Sequence, residues 1–440
     1  MSLLKKAALF IGDILLLYAA LTATLFIRYG MEGFSVRLAA HVIPFSAIFI
    51  AWVLTIYLSD LYNLKSFSNP TALARNLFIA IAIAAGLSVA LFYLFSGFFE
   101  LTPKTNLFIF AVTFFVFDYG WRLGLLRVFT SGAANVIFLG DSPLMRELAA
   151  HLAQFPHAGY RIAAEFPNAA ALTFPALAQT IHGNGATLLV VQPSLTDKLR
   201  TLHSIYQTLS LGVAAISFPD FYEFIFEKEP LEELGESWFI ENISTRRPFY
   251  DRIKRFIDVV LGSILMLVLF PFMLLAALAT VVFSSGAAVF AQERIGKNGA
   301  PFTLYKLRTM RVQKGGIPWP EATETGDARV TTVGKFLRYT HIDEFPQLWN
   351  VIRGDISFTG PRPESAALVQ KYRELPFYEM RHVVKPGVTG WAQINYKPSA
   401  SIGEAHEKLK YDLYYVKNRS FFLDILIILK TIRYLITSLK

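Results

Sequence analysis

The chain has 440 residues, of which 54% are hydrophobic and only 17% are charged, and its mean hydropathy is +0.42. About a quarter of the residues in soluble proteins are charged, so part of this chain is expected to lie in lipid. The absence of cysteine excludes disulfides and zinc–thiolate sites, and the net charge of +9 favours an anionic partner such as a lipid headgroup or a phosphate.

Residues 1–130 are predicted to form a bundle of four transmembrane helices. Three apolar runs have about the length that a bilayer core requires, and a fourth is interrupted by charged residues. Asp118 and Arg122 of the fourth run are four residues apart and are expected to neutralise each other on one helix face. Asp13 of the first run is expected to take a role in helix packing. The runs are 7–27, 42–58, 77–95 and 107–129.

The distribution of basic residues predicts the orientation of this bundle. No small-residue cleavage site follows the first run and more spans come after it, which disfavours a signal peptide. Cytoplasmic segments carry an excess of lysine and arginine, so both ends of the bundle are expected to face the cytoplasm, although Arg28 and Arg37 lie in the first external loop. The residues that mark the cytoplasmic side are Lys5, Lys6, Lys65, Arg75, Arg122 and Arg127.

Residues 131–243 have a soluble composition and are predicted to form a degenerate Rossmann-like α/β domain. Apolar runs at 135–139 and 187–191 indicate buried strands, and an amphipathic helix is expected between Gly140 and Leu152. A dinucleotide site would need the pattern G-x-G-x-x-G, of which only Gly140 is present. A regulatory or assembly module is therefore the better interpretation of this unit.

The region 244–440 begins with a helix that is predicted to enter and leave the membrane on the same side. Its apolar run, 256–283, is long enough to cross, but Pro271 near its centre removes a helix hydrogen bond and predicts a bend. A straight span would carry one basic flank and everything downstream out of the cytoplasm. A re-entrant helix over about 252–284 avoids this, and a kinked fifth span is the alternative. The basic flanks contain Arg252, Lys254, Arg255, Arg294 and Lys297.

A strand that carries two basic residues is predicted after this helix. The stretch 302–310 alternates in the manner of a strand, which would place Lys306 and Arg308 on one face. An acidic and proline-rich loop at 315–326 follows.

The densest group of charged residues comes next and suits phosphate chemistry. Arg338 precedes the adjacent carboxylates Asp343 and Glu344, and Arg362 stands between two prolines. A phosphoryl group in transfer needs a nucleophile and cations that offset its charge, usually with Mg²⁺. The planar guanidinium group of arginine matches phosphate oxygens. An isolated Asp-Glu pair is usually a solvated surface pair, and only its setting among arginines and rigid turns favours an active site.

These motifs resemble the bacterial sugar transferase family, the monotopic phosphoglycosyl transferases, over nearly all of the C-terminal region. The four spans and the α/β unit resemble the large form of that family, typified by undecaprenyl-phosphate galactose or glucose phosphotransferases. The resemblance implies a membrane α-helical bundle, a degenerate Rossmann-like α/β domain, and an α/β monotopic catalytic domain with a re-entrant, proline-bent helix. The matching segments are the bent helix, 306–310, 338–351, 360–363, 386–395 and 411–431.

The resemblance also implies a two-step reaction. Asp343 would attack the β-phosphorus of a UDP-sugar, expel UMP and form a phosphosugar-aspartate, which polyprenyl phosphate would then attack. Glu344 would assist proton removal or, with Asp343, hold Mg²⁺, which is the implied cofactor. The residues implied to bind phosphate or substrate are Lys306, Arg308, Arg338, Arg362, Gln393 and Lys397.

The implied partners are a UDP-sugar, undecaprenyl phosphate and membrane lipids, with a homodimer as a candidate assembly and no nucleic acid. The implied role is the first membrane step of exopolysaccharide, capsule or O-antigen synthesis. Its location would be the bacterial inner membrane, as a multi-pass protein with the active site facing the cytoplasm.

This sequence departs from the common pattern of the family at two places. Phe270 stands before Pro271 where many relatives have a small polar residue, and Tyr396 and Lys397 replace a Gly-Arg pair. Other residues near the motifs have less specific interpretations. Trp349 and Trp391 are expected to lie in the core rather than to stack on a substrate. The C-terminal run, 421–439, is expected either to lie in the membrane interface or to pack on the catalytic domain.

Two other classes of protein remain as alternatives. A membrane-anchored nucleotide-sugar dehydratase would need a Tyr-x-x-x-Lys pair in the α/β unit, and the nearest such pair, Tyr250 and Lys254, lies outside it. There, Lys254 is expected to meet lipid phosphates. A non-enzymatic scaffold of polysaccharide export would explain the spans but not the cluster of carboxylates and arginines.

Overall fold

The computed structural model describes residues 2–59, 61–62, 70–94, 104–131, 133–168, 173–196, 199–244, 247–284, 286–311, 329–396 and 401–438. These residues belong to two compact units, Met1–Ile225 and Phe226–Lys440. Lys65, Lys397 and the predicted loop at 315–326 lie outside the described residues.

The first unit begins with four helices that match the four predicted spans. All four are long and apolar enough to cross a membrane. Their facing sides form an apolar core in which Trp52 packs edge-on against Phe110 and Phe114, with ring centroids 4.8 and 5.5 Å away. The helices are α1 (Ser2–Tyr29), α2 (Phe34–Leu58), α3 (Pro70–Leu94) and α4 (Lys104–Ser131).

A buried charge cluster joins α1 to α4 inside this bundle. Arg122 donates to Asp118 on its own helix at 2.7 Å, which confirms the predicted pair, and to Asp13 on α1 at 2.8 Å. Its remaining terminal nitrogen donates to the carbonyl of Leu61 at 2.5 Å. One arginine therefore satisfies polar groups from three parts of the bundle, as expected where water is excluded.

The α/β part of the first unit is a four-stranded parallel sheet with the order β2-β1-β3-β4. Both predicted strands and the helix between Gly140 and Leu152 are present, and Ser142 caps that helix by accepting from the amide of Met145 at 3.2 Å. The strands are β1 (Ala134–Leu139), β2 (Tyr160–Phe166), β3 (Ala186–Val191) and β4 (Ala214–Ser217), and the helices are α5 (Pro143–Gln154), α6 (Phe174–Asn184), α7 (Pro193–Thr196), α8 (Leu199–Thr208) and α9 (Phe218–Phe226).

The side chain of Gln192 packs against Gly140 at the edge of the sheet where nucleotides bind in related folds. In sheets with this strand order, ligands bind at the carboxyl ends of β1 and β3, because the connections from these two strands lead to opposite sides of the sheet. There Gln192 accepts from the amide of Asp141 at 3.2 Å, and a methyl group added to Gly140 would lie 2.4 Å from the Gln192 amide oxygen. Gln192 thus contacts the backbone at Gly140, the one glycine of the dinucleotide pattern that is present.

The second unit contains two small sheets surrounded by helices. An antiparallel hairpin pairs β5 with β6, and a short parallel pair joins β7 to β8. The predicted strand at 302–310 is present but ends at Leu307, and Met310 forms an isolated bridge with Val330. The strands are β5 (Val289–Ile295), β6 (Pro301–Leu307), β7 (Ser357–Thr359) and β8 (Gly387–Thr389), and the helices are α10 (Glu236–Asn242), α11 (Pro248–Phe283), α12 (Thr332–Tyr339), α13 (Gln347–Arg353), α14 (Ala366–Tyr372), α15 (Trp391–Asn395), α16 (Ile402–Asn418) and α17 (Phe421–Ser438).

The second unit starts at Phe226, earlier than the predicted boundary at 244. The segment before α11 carries apolar residues that pack on α14 and α16, with the Phe239 ring stacked 4.2 Å from that of Phe377. The indole of Trp391 donates to the carbonyl of Glu227 at 2.9 Å. Because these residues bury apolar surface against the C-terminal region, they fold with it.

The 36 residues of α11 carry Pro271 inside the helix and leave most apolar side chains exposed. Near its start, Arg255 donates to the carbonyls of Val351 and Ile352 on α13 at 2.7 and 2.6 Å. At its far end, the carbonyl of Ser284 accepts from Arg308 at 2.7 Å. Both ends of the helix therefore contact the same compact unit.

One face of α17 packs on the rest of the second unit. Leu423 and Ile427 are buried in a cluster with Trp391, whereas Phe422 is 68% exposed and Ile425 is 57% exposed. One face of α17 therefore packs on the catalytic region, which is one of the two predicted arrangements, and the opposite face leaves apolar residues exposed.

The two tryptophans near the motifs differ in environment. Trp391 is 1% exposed, which confirms its predicted place in the core. The corresponding prediction for Trp349 is wrong, since 53% of its surface is exposed on the outer side of α13.

Candidate active site

The close packing of α12 on the segment after β6 positions Arg338, the first basic residue of the site. A methyl group on Gly334 would lie 2.0 Å from the carbonyl oxygen of Thr309, so only glycine lets α12 approach so closely. Thr331 caps α12 by accepting from the amide of Gly334 at 2.9 Å. This approach allows Nε of Arg338 to donate to the hydroxyl of Thr309 at 2.9 Å.

The acidic pair lies on a single 3₁₀ turn, Ile342–Glu344, that directly follows α12. His341 enters this turn with a φ of 56°, in the left-handed region that non-glycine residues seldom adopt. The carboxylate of Glu344 accepts from Lys306 at 2.7 Å. Asp343 is 9% exposed and forms no hydrogen bond with any described side chain.

The two neighbouring carboxyl groups are electrostatically different. Burial, together with the charge of Glu344, raises the pKa of Asp343 to about 6, although Lys306, His341 and Arg338 oppose the rise. Burial would also raise the pKa of Glu344, but the charges of Lys306 and Arg362 outweigh it and lower that pKa. Glu344 is therefore a fixed anion, whereas Asp343 is a poorly solvated carboxyl group whose oxygens have no hydrogen-bond partner among the described side chains. Such a group is suited to act as a nucleophile.

Arg362 approaches the acidic pair from the turn that follows β7. Its charge acts on Glu344, and its carbonyl accepts from Arg381 at 3.0 Å. Arg381 is itself buried and pairs with Asp412 on α16 at 2.8 Å. The turn is therefore held by an ion pair that sequence reasoning missed, since its two members are distant in the chain and lie in no phosphate-like motif.

The other predicted substrate-binding residues lie apart from the acidic pair or are engaged elsewhere. The guanidinium of Arg308 donates to the carbonyls of Ser284 and Gly286, at 2.7 and 3.0 Å, beyond the end of α11. The amide of Gln393 donates to the carbonyl of Val388 at 3.3 Å, and its buried oxygen has no partner among the described residues. Lys397 lies outside the described residues.

Lys254 belongs to an internal polar network, so the prediction that it meets lipid phosphates is wrong. Its ammonium group pairs with Asp424 of α17 at 2.8 Å and also donates to Thr359. Asp424 accepts further bonds from Tyr250 at 2.6 Å and from Tyr415 at 2.9 Å. The network ties α11 to β7, α16 and α17. Its members are distant in sequence, and only the apolar setting of Asp424 hinted at a partner.

The donor set of the acidic pair fits a magnesium ion. Mg²⁺ is commonly held by one or two carboxylates, with water and substrate phosphates completing the shell. Asp343 offers oxygens that no described side chain occupies, and Lys306 engages one oxygen of Glu344. A group of three potential ligands elsewhere, Glu232, His406 and Glu407, fits less well because Lys228 and Lys410 already neutralise it.

Comparison with known proteins identifies the family. A model of the family described as bacterial sugar transferase matches residues 249–438, which include the acidic pair and all the basic residues around it. A relative from Caulobacter vibrioides, named UDP-glucose:undecaprenyl-phosphate glucose-1-phosphate transferase, is 40% identical over 191 residues, which are 43% of this chain and 71% of the relative. The chain belongs to the bacterial sugar transferase family.

Two longer members of the bacterial sugar transferase family are also similar to this chain. A UDP-N-acetylgalactosamine-undecaprenyl-phosphate N-acetylgalactosaminephosphotransferase from Aeromonas hydrophila is 42% identical over 192 residues, 43% of this chain and 45% of the relative. A UDP-glucose:undecaprenyl-phosphate glucose-1-phosphate transferase from Escherichia coli K12 is 36% identical over 242 residues, 54% of this chain and 52% of the relative. The matched part thus spans about half the length of these two relatives.

Proposed function

We propose that this chain is an undecaprenyl-phosphate hexose-1-phosphate transferase that uses a UDP-sugar as donor. The observation that carries the proposal is the buried, uncommitted carboxyl group of Asp343 beside the ion pair of Glu344 and Lys306. Three relatives are named as undecaprenyl-phosphate sugar-phosphate transferases, with UDP-glucose or UDP-N-acetylgalactosamine in their names. A nucleotide-sugar dehydratase is disfavoured, because the α/β part has only Gly140 of the dinucleotide-binding pattern.

In the first proposed step, an Asp343 oxygen attacks the β-phosphorus of the UDP-sugar. The bond from that phosphorus to the oxygen bridging it to the α-phosphate breaks, UMP leaves, and a phosphosugar-aspartate remains. In the second step, a phosphate oxygen of undecaprenyl phosphate attacks the same phosphorus and releases the Asp343 carboxylate. Two steps avoid the direct approach of two phosphate anions to each other.

The surrounding side chains have separate proposed roles. Arg338 and Arg362 offset the negative charge of the donor phosphates, for which planar guanidinium groups are suited. Lys306 holds Glu344 ionised and in place, so that the pair can orient the donor. When bound to the two carboxylates, Mg²⁺ would supply further stabilisation of phosphate charge.

We also propose that α11 is re-entrant and that the site faces the cytoplasm of the bacterial inner membrane. A straight helix would hold Arg255 and Ser284 about 44 Å apart at 1.5 Å per residue. In the structure, both residues instead contact neighbouring parts of the second unit. Arg255 donates to the carbonyl of Val351, and the adjacent Asn350 accepts from the amide of Tyr305. Tyr305 is three residues from Arg308, which donates to the carbonyl of Ser284. This supports a bend at Pro271 and the return of the chain to one membrane side.

The chemistry is tested by supplying radiolabelled UDP-sugar without acceptor to purified protein. Labelling of the protein, with UMP released in an amount no greater than the enzyme present, is expected in the wild type and not in Asp343→Asn. Undecaprenyl phosphate should then move the label into lipid. Sustained turnover by Asp343→Asn, or UMP release that requires both substrates together, would instead mean direct transfer in one step.

The topology is tested by single cysteines, since the chain has none of its own. Cysteines at Arg247 and at Asn298, on either side of α11, should both react with an impermeant maleimide only when the cytoplasmic face is accessible. Reaction from opposite sides would establish a fifth span and reject the re-entrant helix.

A further inference from the structure

The side chain of Asn350 on α13 bonds to the backbone of β6 in the way that a neighbouring strand would. Its amide oxygen accepts from the backbone amide of Tyr305 at 3.2 Å. Its amide nitrogen donates to the carbonyl of Thr303 at 2.7 Å. These two backbone groups belong to residues two positions apart on one edge of β6, and Asn350 itself is buried. A paired strand engages a donor and an acceptor in the same arrangement.

The opposite edge of β6 faces β5. The amide of Arg308, just after β6, donates to the carbonyl of Ala288, and Lys306 lies opposite Phe290 in the hairpin. Because the backbone groups of successive residues in a strand point to alternate edges, the even-numbered residues of β6 bond to β5. Thr303 and Tyr305 therefore present their backbone groups to α13.

Asp355 fixes the orientation of the Asn350 amide group. The carboxylate of Asp355 accepts from the amide nitrogen of Asn350 at 3.0 Å. The nitrogen thus faces two acceptors, while the oxygen faces the amide of Tyr305. A rotated amide would place like groups against each other on both sides. The side chain is therefore held in the orientation that matches β6.

Apolar contacts hold α13 against β6 but do not fix its position along the strand. Leu304, Val351 and Ile356 form a buried cluster where the two elements meet. Apolar burial is non-directional, whereas hydrogen bonds need short distances and favourable angles. The two bonds from Asn350 to the backbone therefore set the register of α13 relative to β6.

The position of α13 is passed directly to the acidic pair. Backbone amides in the intervening stretch donate to the carbonyl three residues before them, as at Glu344, Phe345, Leu348 and Trp349. Phe345 and Pro346, which join the 3₁₀ turn to α13, both have helical dihedral angles. A displacement of Asn350 would therefore move Glu344 with it.

This register decides whether Lys306 reaches Glu344. Lys306 is adjacent to Tyr305 on β6, and its ammonium group lies 2.7 Å from the carboxylate of Glu344. A shift of one residue along a strand is about 3.3 Å and turns every side chain to the other face. Such a shift is longer than the contact itself and would separate the two groups.

We propose that Asn350 is a positioning residue, which holds α13 in register with β6 so that Lys306 meets Glu344 beside Asp343. Asn350 acts on the acidic pair through these two elements. Its consequence for turnover rests on the proposed transferase function, whereas its effect on the contacts does not.

The contacts are tested in the full-length protein without substrate. Asn350→Leu keeps a similar side-chain volume but removes both bonds to β6. Hydrogen exchange, read at single residues, should become about tenfold faster at the Tyr305 amide, as the loss of one hydrogen bond predicts. Exchange at Leu304 and Lys306 should stay unchanged, because their amides face β5. Acetylation of the Lys306 side chain, followed by mass spectrometry, should become faster because Glu344 no longer holds it.

Three results would overturn the proposal. They are exchange at Tyr305 at the wild-type rate, equally faster exchange at all three amides, and acetylation of Lys306 at the wild-type rate. Leu413→Ala is the control, since it removes a buried side chain from the core cluster of α14 and α16 and should leave Tyr305 and Lys306 as in the wild type. If Asn350→Leu does not fold, Asn350→Ser replaces it, because serine is too short to bridge both backbone groups.

Turnover tests the functional consequence through a double-mutant cycle. Lys306→Gln and Asn350→Leu should each lower kcat about tenfold, and the double variant should be no slower than Lys306→Gln alone, since both changes break the same pair. In the Leu413→Ala background, Lys306→Gln should keep its full effect. Effects that multiply in the cycle would overturn the positioning role. If the wild type transfers no sugar phosphate, the proposed function fails, and the exchange and acetylation results still decide the role of Asn350.

Discussion

The ammonium group of Lys306 lies 2.7 Å from the carboxylate of Glu344, and this contact divides two adjacent carboxyl groups into different roles. Glu344 takes the cation, and its pKa is lowered. Asp343 stays buried and has no such partner in the part of the chain that the structure describes, and its pKa rises to about 6. Because the proposed nucleophile must be ionised, the activity of the enzyme should rise as the pH passes about 6.

We expect Asp343→Asn to stabilise the protein at neutral pH while it abolishes turnover. The pKa of Asp343 is raised in the folded state, so protonation of this side chain favours folding. Its contribution to the free energy of unfolding is complete below the unfolded-state pKa near 3.8 and is lost as the pH rises through the folded-state pKa of about 6. Above that pH the ionised side chain costs on the order of 1–3 kcal/mol, which the neutral amide avoids. Thermal unfolding at pH 4 and pH 8 checks this: the Tm advantage of the variant should appear only at pH 8, and an equal Tm at both would contradict it.

Lys306→Gln should move the acidic limb of the pH–activity profile to higher pH. Lys306 lowers the pKa of Asp343, so its removal should raise that pKa further. Turnover should also fall, since Glu344 loses its partner. Lys371→Gln, an exposed change on α14, is the control and should leave the profile in place. An unshifted limb in Lys306→Gln would show that the ion pair does not tune Asp343.

Gly334→Ala should destabilise the second unit by about 1–3 kcal/mol or more, because a methyl group there meets the carbonyl of Thr309 at 2.0 Å. The displaced α12 should carry Arg338 away from Thr309 and reduce turnover even where the protein stays folded. Gly403→Ala in α16 is the matched control, since a methyl group there meets nothing within 4 Å and should be neutral or slightly stabilising. Denaturant unfolding and turnover are measured together. Equal effects of the two changes would refute the proposed close approach.

A fragment that starts at Phe226 should fold and bind membranes better than one that starts at Ser244. The shorter fragment lacks Leu231, Leu234 and Phe239, which are buried against α14 and α16, and it leaves apolar surface exposed. Yield, monodispersity in detergent and Tm of both fragments provide the comparison. A shorter fragment of equal Tm would show that residues 226–243 add nothing to the stability of this unit.

The amino-acid sequence by itself predicted the parts of this protein that depend on local composition. Apolar runs located the four N-terminal helices, because only long apolar segments suit a bilayer. Short apolar runs found β1 and β3, while β2 and β4 were missed because they lie at the edges of the sheet and carry fewer buried residues. The adjacency of Asp343 and Glu344 was visible, as was the pairing of Asp118 with Arg122.

Only the tertiary structure decided what depends on residues that are distant in the chain. The internal pairing of Lys254 with Asp424 joins positions 170 residues apart. From the sequence, Lys254 could therefore be interpreted only as a basic residue near lipid. The pairing of Arg381 with Asp412 likewise joins residues that are distant in the chain. Sequence neighbours do not reveal how much water a group loses or which charge it meets. Those two quantities separate Asp343 from Glu344, and they exist only once the chain has folded.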